Sequence, residues 1–263
     1  MSYFTIIMPN YNNAGWLDKS IGSVTNQTFD DYRLIVVDDM STDSSYMKAV
    51  DLVGTKGFVI PNSEKLWNGG SRNAGLLYNN NSKYTLFLDS DDWFTSPDIL
   101  QKLHDFIEEH DRPGCIRLPY RMEVGNAEPV PVMLNDNNAD KLCNSIFVAC
   151  WTKCIKSELV VPFPENTLME DVVQHIAQCD IIRYPVEVFT EPVVAYNRNN
   201  TNSCSAEKNQ DLQHGKWQSS MYRYMADLLD LELEHDYCKR QRDWRAGICL
   251  DNIKKGVYSQ SVL

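Results

Sequence analysis

Three carboxylates packed into four positions at the end of an apolar run set the chemical question. The segment YTLFLDSDDWF, Tyr84 to Phe94, leads strand-forming residues straight into Asp89, Asp91 and Asp92. Two unit charges about 4 Å apart repel by roughly 4 kcal/mol at an effective dielectric near 20. Solvent, protonation, a basic partner or a metal ion must offset that repulsion. A second acidic pair, Asp38 and Asp39, closes the apolar run RLIVVDD. A third, Glu170 and Asp171 in MEDVVQH, falls at a predicted helix start. The helix dipole favours a carboxylate there and holds it ionised, as a general base must be. Arg72, in GGSRNAG, supplies a planar cationic fork suited to carboxylate or phosphate.

Each feature also has a plain structural reading. Asp38 and Asp39 suit a turn and a helix cap. Arg72 suits an ion pair with Asp89 or Asp92. Asp171 suits a helix-terminal charge, and His175, one turn further on, suits packing as well as orientation of Asp171.

The elements that must carry these groups alternate through the first half. YFTIIM reads as a strand, Asn13 to Asn26 as a helix, RLIVVDD as a strand and Ser44 to Leu52 as a helix. GFVIP is a short strand, GGSRNAGLLYNN opens a helix at its glycines, and YTLFLD is a fourth strand. Pro97 to His110 is an amphipathic helix with Pro97 in its first turn. Near-continuous apolar strands alternating with helices predict an α/β fold with a mainly parallel sheet covered on both faces. Ligands of such sheets bind beyond the carboxyl ends of the strands. Pro9-Asn10-Tyr11, Asp38-Asp39 and Asp89 to Asp92 all fall there.

The second half is less regular. Arg117 to Val124 and Val130 to Leu134 suit a strand pair, and Ser145 to Ile155 another strand. Met169 to Gln178 reads as a helix, IIRYPVEVFTEPVVAYNR as one or two strands, and Ser205 to Gln241 and Arg242 to Gly256 as helices.

Composition narrows the class. The chain has 263 residues, 43% hydrophobic and 23% charged, as expected of a globular protein with a sizeable core. Its apolar runs are strand-length, and MSYFTIIMPNYNN lacks the layout of a signal peptide. The expectation is a cytoplasmic protein. Eight cysteines occur without a CxxC pair, which fits buried thiols in a reducing compartment better than a zinc site. The net charge of −11 gives no overall attraction to nucleic acid. Acid is concentrated in Asp227 to Asp236, and six bases lie in Tyr237 to Tyr258. Such a tail suits a solvated helical pair or a basic patch for an anionic partner.

Phosphate-binding loops of the common kinds are absent. GGSRNAGLL lacks the Lys-Ser/Thr of a Walker A loop, and no GxGxxG follows the first strand. A calcium loop would need a longer ligand series with a distal Glu.

Taken in order, FTIIMPNYNNAGWLDKSIGSVTNQTF, LIVVDDMSTDSS, NGGSRNAGL, LFLDSDDW, FPENTLMEDVVQH and YNRNNTNSCS make the chain resemble the inverting glycosyltransferases of family 2 from about Tyr3 to Ser205. The resemblance implies the GT-A fold, a Rossmann-like mainly parallel sheet flanked by helices, with a C-terminal helical extension over 206–263. It implies a nucleotide-sugar-binding half over 1–110 and an acceptor-binding half over 111–205. The implied reaction is metal-dependent inverting transfer of a sugar from an NDP-sugar, UDP above others, to an acceptor hydroxyl. Pro9 and Tyr11 would shape the base pocket and Asp39 would accept from the base. Arg72 would support the acidic loop or lie near the diphosphate. Within that loop, Asp89, Ser90 and Asp91 would meet the donor. Asp91 would hold Mn²⁺ or Mg²⁺, with Asp89 on the ribose or a metal-bound water and Asp92 behind them. Asp171 would be the base, with Glu170 the second choice. Trp151, Lys153 and Trp93 would border the acceptor, and Arg198 and Asn200 would approach the diphosphate. A saccharide or glycoconjugate is the expected acceptor, a modified base in DNA an alternative. A sugar-nucleotide-binding module without catalysis is the reading from another class.

Overall fold

The computed structural model describes residues 2–79, 81–133, 148–165, 169–182, 186–203 and 223–255. The first half alternates as its hydrophobic pattern dictates. It runs β1 (Phe4–Asn10), α1 (Leu17–Thr25), β2 (Tyr32–Asp38), α2 (Ser45–Val53), β3 (Gly57–Pro61), α3 (Trp67–Leu77), β4 (Tyr84–Phe87), β5 (Trp93–Phe94) and α4 (Ile99–Glu109). The rest adds β6 (Cys115–Arg117), β7 (Tyr120–Glu123), β8 (Val130–Val132), β9 (Lys153–Lys156), α5 (Glu170–Ile181), β10 (Val186–Val188), β11 (Val194–Asn197) and α6 (Asp236–Lys255). A short helical stretch covers 223–229.

Among the described residues the main sheet has seven strands in the order β10-β6-β9-β4-β1-β2-β3. β1 lies at its heart, parallel to β2 and β4, and all seven of its residues are buried. A strand buried on both faces must be apolar throughout, which is why FTIIM reads without alternation. β9 is the antiparallel member, wedged between β4 and β6. A second sheet, in the order β5-β11-β7-β8, follows the main one. β7 and β8 are the expected strand pair, with Tyr120 opposite Val132. The small sheet recruits Trp93–Phe94, so the acidic loop lies where the chain passes from one sheet to the other.

Several boundaries differ from the sequence reading. α3 begins at Trp67, before its glycines. α4 is capped at Asp98, so Pro97 stands outside it. Asp236–Lys255 is one continuous helix, with no break at 241. Residues 134–147 and 204–222 lie outside the described residues, and with them the start of the Ser145–Ile155 strand and the expected boundary near 205.

Two cores form. The larger packs β1, β2 and β4 against α1, α3 and α4. The smaller joins Met169, Val172, Val173 and Ile176 at α5 to Tyr224, Leu228, Cys238, Ala246 and Cys249 from the C-terminal helices. The six described cysteines are buried. No helix among the described residues is long and apolar enough to cross a membrane.

Candidate active site

Helix α3 is set unusually close to its surroundings, and this places Arg72. A Cβ on Gly75 would lie 2.5 Å from Ile7 Cγ2, and one on Gly69 would lie 2.4 Å from the Pro164 carbonyl oxygen. Both are inside contact distance, so only glycine lets α3 press on the sheet and on the segment before α5. Asn73 fastens the second contact. Its Nδ2 donates to Phe163 O at 2.9 Å, and its Oδ1 accepts from Phe163 N at 2.8 Å. Arg72, between these glycines, is thereby carried to the start of α5.

The Arg72 guanidinium is the centre of the site and is 1% exposed. Nη2 donates to Asp89 Oδ1 at 2.7 Å. Nη1 donates to Glu170 Oε1 at 2.7 Å and to Asp171 Oδ1 at 3.2 Å. One cation therefore links the acidic loop to the acidic pair that opens α5, across 98 residues of sequence to Glu170. The pairing with Asp89 was legible as an ion pair; the bridge to Glu170 and Asp171 was not.

Burial pushes Glu170 up to about 7, helped by the neighbouring Asp171 charge and opposed by Arg72. Burial also raises Asp171, again against Arg72. Asp171 keeps 27% of its side-chain exposure and Glu170 only 7%, so Asp171 is the better placed to meet a substrate. Lys153 is buried nearby, with Nζ donating to Val148 O at 3.1 Å and Ala149 O at 3.0 Å. Burial lowers its pKa. His175 is buried with Nε2 3.7 Å from Cys179 Sγ, which directs it into the smaller core.

The other two acids of the loop receive no such cation among the described residues. Asp92 is buried and its Oδ1 accepts from the Asn197 N–H at 2.8 Å, stitching the loop to β11. Its Oδ2 is buried without a hydrogen-bond partner. Asp91 accepts from Asn200 Nδ2 at 2.8 Å, and the same amide reaches Asn13 Oδ1 at 3.1 Å. Asn13 in turn donates to Ser90 Oγ at 2.8 Å. Burial and then the charge of Asp89 push Asp91 up to about 6, against the pull of the Asn200 amide. Burial, then Asp91 and Asp89, raise Asp92 as well.

Asp89 and Asp91 remain partly exposed while Asp92 does not. Asp91, and Asp89 through the oxygen that Arg72 leaves free of its 2.7 Å contact, are hard oxygen donors of the kind that fit Mg²⁺ or Mn²⁺. Among the described residues no group of three or more His, Cys, Asp or Glu is arranged around a metal position. Two carboxylates are a partial set, of the size that suits an ion shared with phosphate oxygens.

The far end of the cleft is built by the ends of β1, β2 and β3. Asp38 is structural: its oxygens accept from Asn10 Nδ2 at 2.8 Å, Ser41 N at 3.0 Å and Ser41 Oγ at 2.7 Å. Asp39 fixes the entry to α3, accepting from Leu66 N at 2.7 Å, Trp67 N at 2.9 Å and Asn62 Nδ2 at 2.9 Å. Lys65 completes its shell at 3.0 Å. Pro9 is buried in β1, while Tyr11 is 46% exposed beside Lys65. Asn12, Met40 and Trp67 all adopt positive φ here, at 51°, 61° and 59°. Left-handed backbone at non-glycine residues is strained and clusters at ligand sites.

Trp151 is buried, 5.0 Å from Tyr120 and 5.3 Å from Tyr196 between ring centroids. Trp93 is also buried, with Lys19 Nζ 3.3 Å above its ring. Both indoles serve packing in this structure. Arg198 is exposed and donates to Tyr196 Oη at 3.0 Å.

A parallel sheet with acids at its carboxyl ends, an antiparallel β9 and a small second sheet define the GT-A class of fold. Comparison with solved structures agrees. Staphylococcus aureus TarS 1-349 in complex with UDP-GlcNAc matches with a TM-score of 0.72 at 19% identity, covering 97% of this chain and 72% of that one. A mannosyltransferase from Pyrobaculum calidifontis in complex with GDP-Man and Mn²⁺ matches with a TM-score of 0.62 at 14% identity, covering 97% and 73%.

The family model described as glycosyl transferase family 2 matches residues 5–158, and the chain belongs to that family. Among curated relatives, the poly(ribitol-phosphate) beta-N-acetylglucosaminyltransferase TarP of Staphylococcus aureus is 35% identical over 158 residues, 57% of this chain and 47% of that protein. The UDP-Glc:alpha-D-GlcNAc-diphosphoundecaprenol beta-1,3-glucosyltransferase WfgD of Escherichia coli is 35% identical over 88 residues, 34% of each. The chain thus spans about half or less of the length of these two relatives.

Proposed function

We propose that this protein transfers a sugar, with inversion, from a nucleotide diphosphate sugar to an acceptor hydroxyl. The observation that carries the reading is Arg72, which joins Asp89 of the acidic loop to Glu170 and Asp171 at α5. That bridge brings an acid of the loop and an acid of α5 onto one buried guanidinium, which supports a donor-side and an acceptor-side role for them in one site. Asp39 and Tyr11 receive the base, and uridine is the proposed nucleoside. Asp89, Ser90 and Asp91 face the ribose and diphosphate. Asp91, with Asp89, would hold Mg²⁺ or Mn²⁺, which when bound would supply positive charge for the leaving diphosphate. Asp171 accepts the acceptor hydroxyl's proton as the new bond forms. Arg72 keeps Asp171 oriented and favours its ionised form.

The acceptor we infer is a saccharide or glycoconjugate. Relatives named for poly(ribitol-phosphate) and for a diphosphoundecaprenol-linked sugar support that class. The division into a nucleotide half over 1–110, an acceptor half over 111–205 and a helical extension over 206–263 belongs to the same proposal.

UDP release from a panel of UDP-sugars, with Mn²⁺ and candidate glycan acceptors, tests the reading. The wild-type protein is expected to release UDP in an acceptor-dependent way, and Asp91→Asn and Asp171→Asn to lose that activity while staying folded. Normal turnover by both variants would refute the mechanism. Metal-dependent UDP binding without transfer to any acceptor would favour the non-catalytic module instead.

A further inference from the structure

Lys65 occupies both recognition groups of the base pocket at once. Its Nζ lies 3.0 Å from Asp39 Oδ2 and 2.9 Å from the centroid of the Tyr11 ring. It also donates to the Asp39 carbonyl oxygen at 3.1 Å. An ionised carboxylate has about four lone-pair positions. Those of Asp39 are taken by Leu66 N, Trp67 N, Asn62 Nδ2 and Lys65 Nζ. The two backbone donors fix the start of α3. Asn62 is fixed as well, since its Nδ2 also reaches Ser71 Oγ at 3.0 Å and its N–H bonds Asp38 O at 2.9 Å. Only Lys65, on a flexible four-carbon stem that is 29% exposed, can yield its place without unravelling the helix entry.

A base that stacks on Tyr11 and donates an N–H to Asp39 must therefore move the ammonium aside. The backbone tether at position 65 keeps that ammonium at the rim of the pocket, next to the base edge it has just vacated. A carbonyl adjacent to the donated N–H then meets a cationic donor. We propose that Lys65 determines base specificity, reading the C4 carbonyl beside the ring N–H of uracil while Asp39 reads the N–H itself. This rests on the proposed use of a nucleotide donor. Cytosine has the same ring size but the opposite edge. It turns a ring-nitrogen lone pair toward the carboxylate and an amino group toward the ammonium, so both contacts become repulsive or unmade.

The test is calorimetric titration of UDP and CDP, each with Mn²⁺, into wild-type protein, Lys65→Met and Lys65→Arg. Met keeps most of the stem and its packing, and Arg keeps the charge. Wild type is expected to prefer UDP. Lys65→Met should lose about tenfold of that preference, mainly through weaker UDP binding, and Lys65→Arg should retain most of it. If Lys65→Met binds UDP as tightly as wild type, or more tightly, with the UDP-to-CDP ratio unchanged, Lys65 merely covers the pocket and the inference is wrong. If wild type binds neither nucleotide, the donor reading fails and this inference with it, a result distinct from an unchanged ratio. Unchanged melting temperatures across the three proteins keep the comparison one of recognition.

Discussion

Two groups of acids share one cleft and are treated in opposite ways. Asp89, Glu170 and Asp171 converge on the Arg72 guanidinium, a cation that the fold supplies and buries. Asp91 and Asp92, a few residues along the same loop, receive an amide from Asn200 and a backbone N–H from Asn197, with no cation among the described residues. The first group shares one built-in counter-ion, and Glu170 within it is still pushed up to about 7 by burial. The second is short of positive charge, and its Asp91 is pushed up to about 6 by burial and by Asp89. The difference separates a structural counter-ion from a site built to take a cation along with its ligand.

Removing the internal cation should have the largest effect. Arg72→Ala would leave three acids facing one another in a buried space, and breaking a buried pair in this way costs roughly 3–5 kcal/mol. Chemical denaturation should show that loss, with activity gone as well. Arg72→Lys should recover part of the stability and little activity, because a point charge cannot span three carboxylates.

Next comes Asp171→Asn. Loss of a general base lowers turnover by about 10²–10⁴-fold. Donor affinity should change little, which kcat and KM measured separately would reveal. The same group predicts a pH effect. With Glu170 raised to about 7 and Asp171 raised beside it, protons return to the pair as pH falls from neutrality. The acidic limb of the pH–rate profile should therefore lie well above the range near 4 of a solvated carboxylate.

On the under-neutralised side the sign of the stability effect reverses. Because the folded protein holds Asp91 up to about 6, its proton stabilises the fold below the ordinary carboxylate range, and that contribution is lost as pH rises through about 6. Asp91→Asn should then stabilise the metal-free protein at pH 7.5 by about 1 kcal/mol, and by nothing near pH 4. The same variant should lose metal-stimulated activity. Thermal melts at the two pH values check the first half of that claim. Asn200→Ala is the mildest change. Of the bonds lost, the one to Asp91, worth about 1 kcal/mol, should weaken metal-stimulated activity roughly fivefold while the fold stays intact.

Much of the sheet could be read in advance because a doubly buried strand must be apolar along its length. FTIIM and RLIVV declare themselves, and the acids that end them declare the working edge. What stayed hidden was contact at long range. Nothing local in GGSRNAG says that Arg72 reaches Glu170, or that Gly69 leaves room for Pro164. The link depends on α3 and α5 docking through Asn73 and Phe163, which are 90 residues apart. Lys65 was invisible for a similar reason: a lysine in a polar loop reads as solvated until the ends of β1 and β2 place Tyr11 and Asp39 around it. In the small second sheet the strand pair β7–β8 was legible, but β5 was missed because a strand as short as Trp93–Phe94 has no periodicity to detect. Pro97 misled the start of α4, since the chain turns once more and caps the helix at Asp98.

The claim that the Asp89–Asp91 pair awaits a cation together with a diphosphate is tested most directly by titrating Mn²⁺ calorimetrically into the protein with and without UDP. Weak binding to the nucleotide-free protein, tightened strongly by UDP and lost in Asp91→Asn, is the predicted result. Tight Mn²⁺ binding without nucleotide, or binding that Asp91→Asn leaves unchanged, would contradict it.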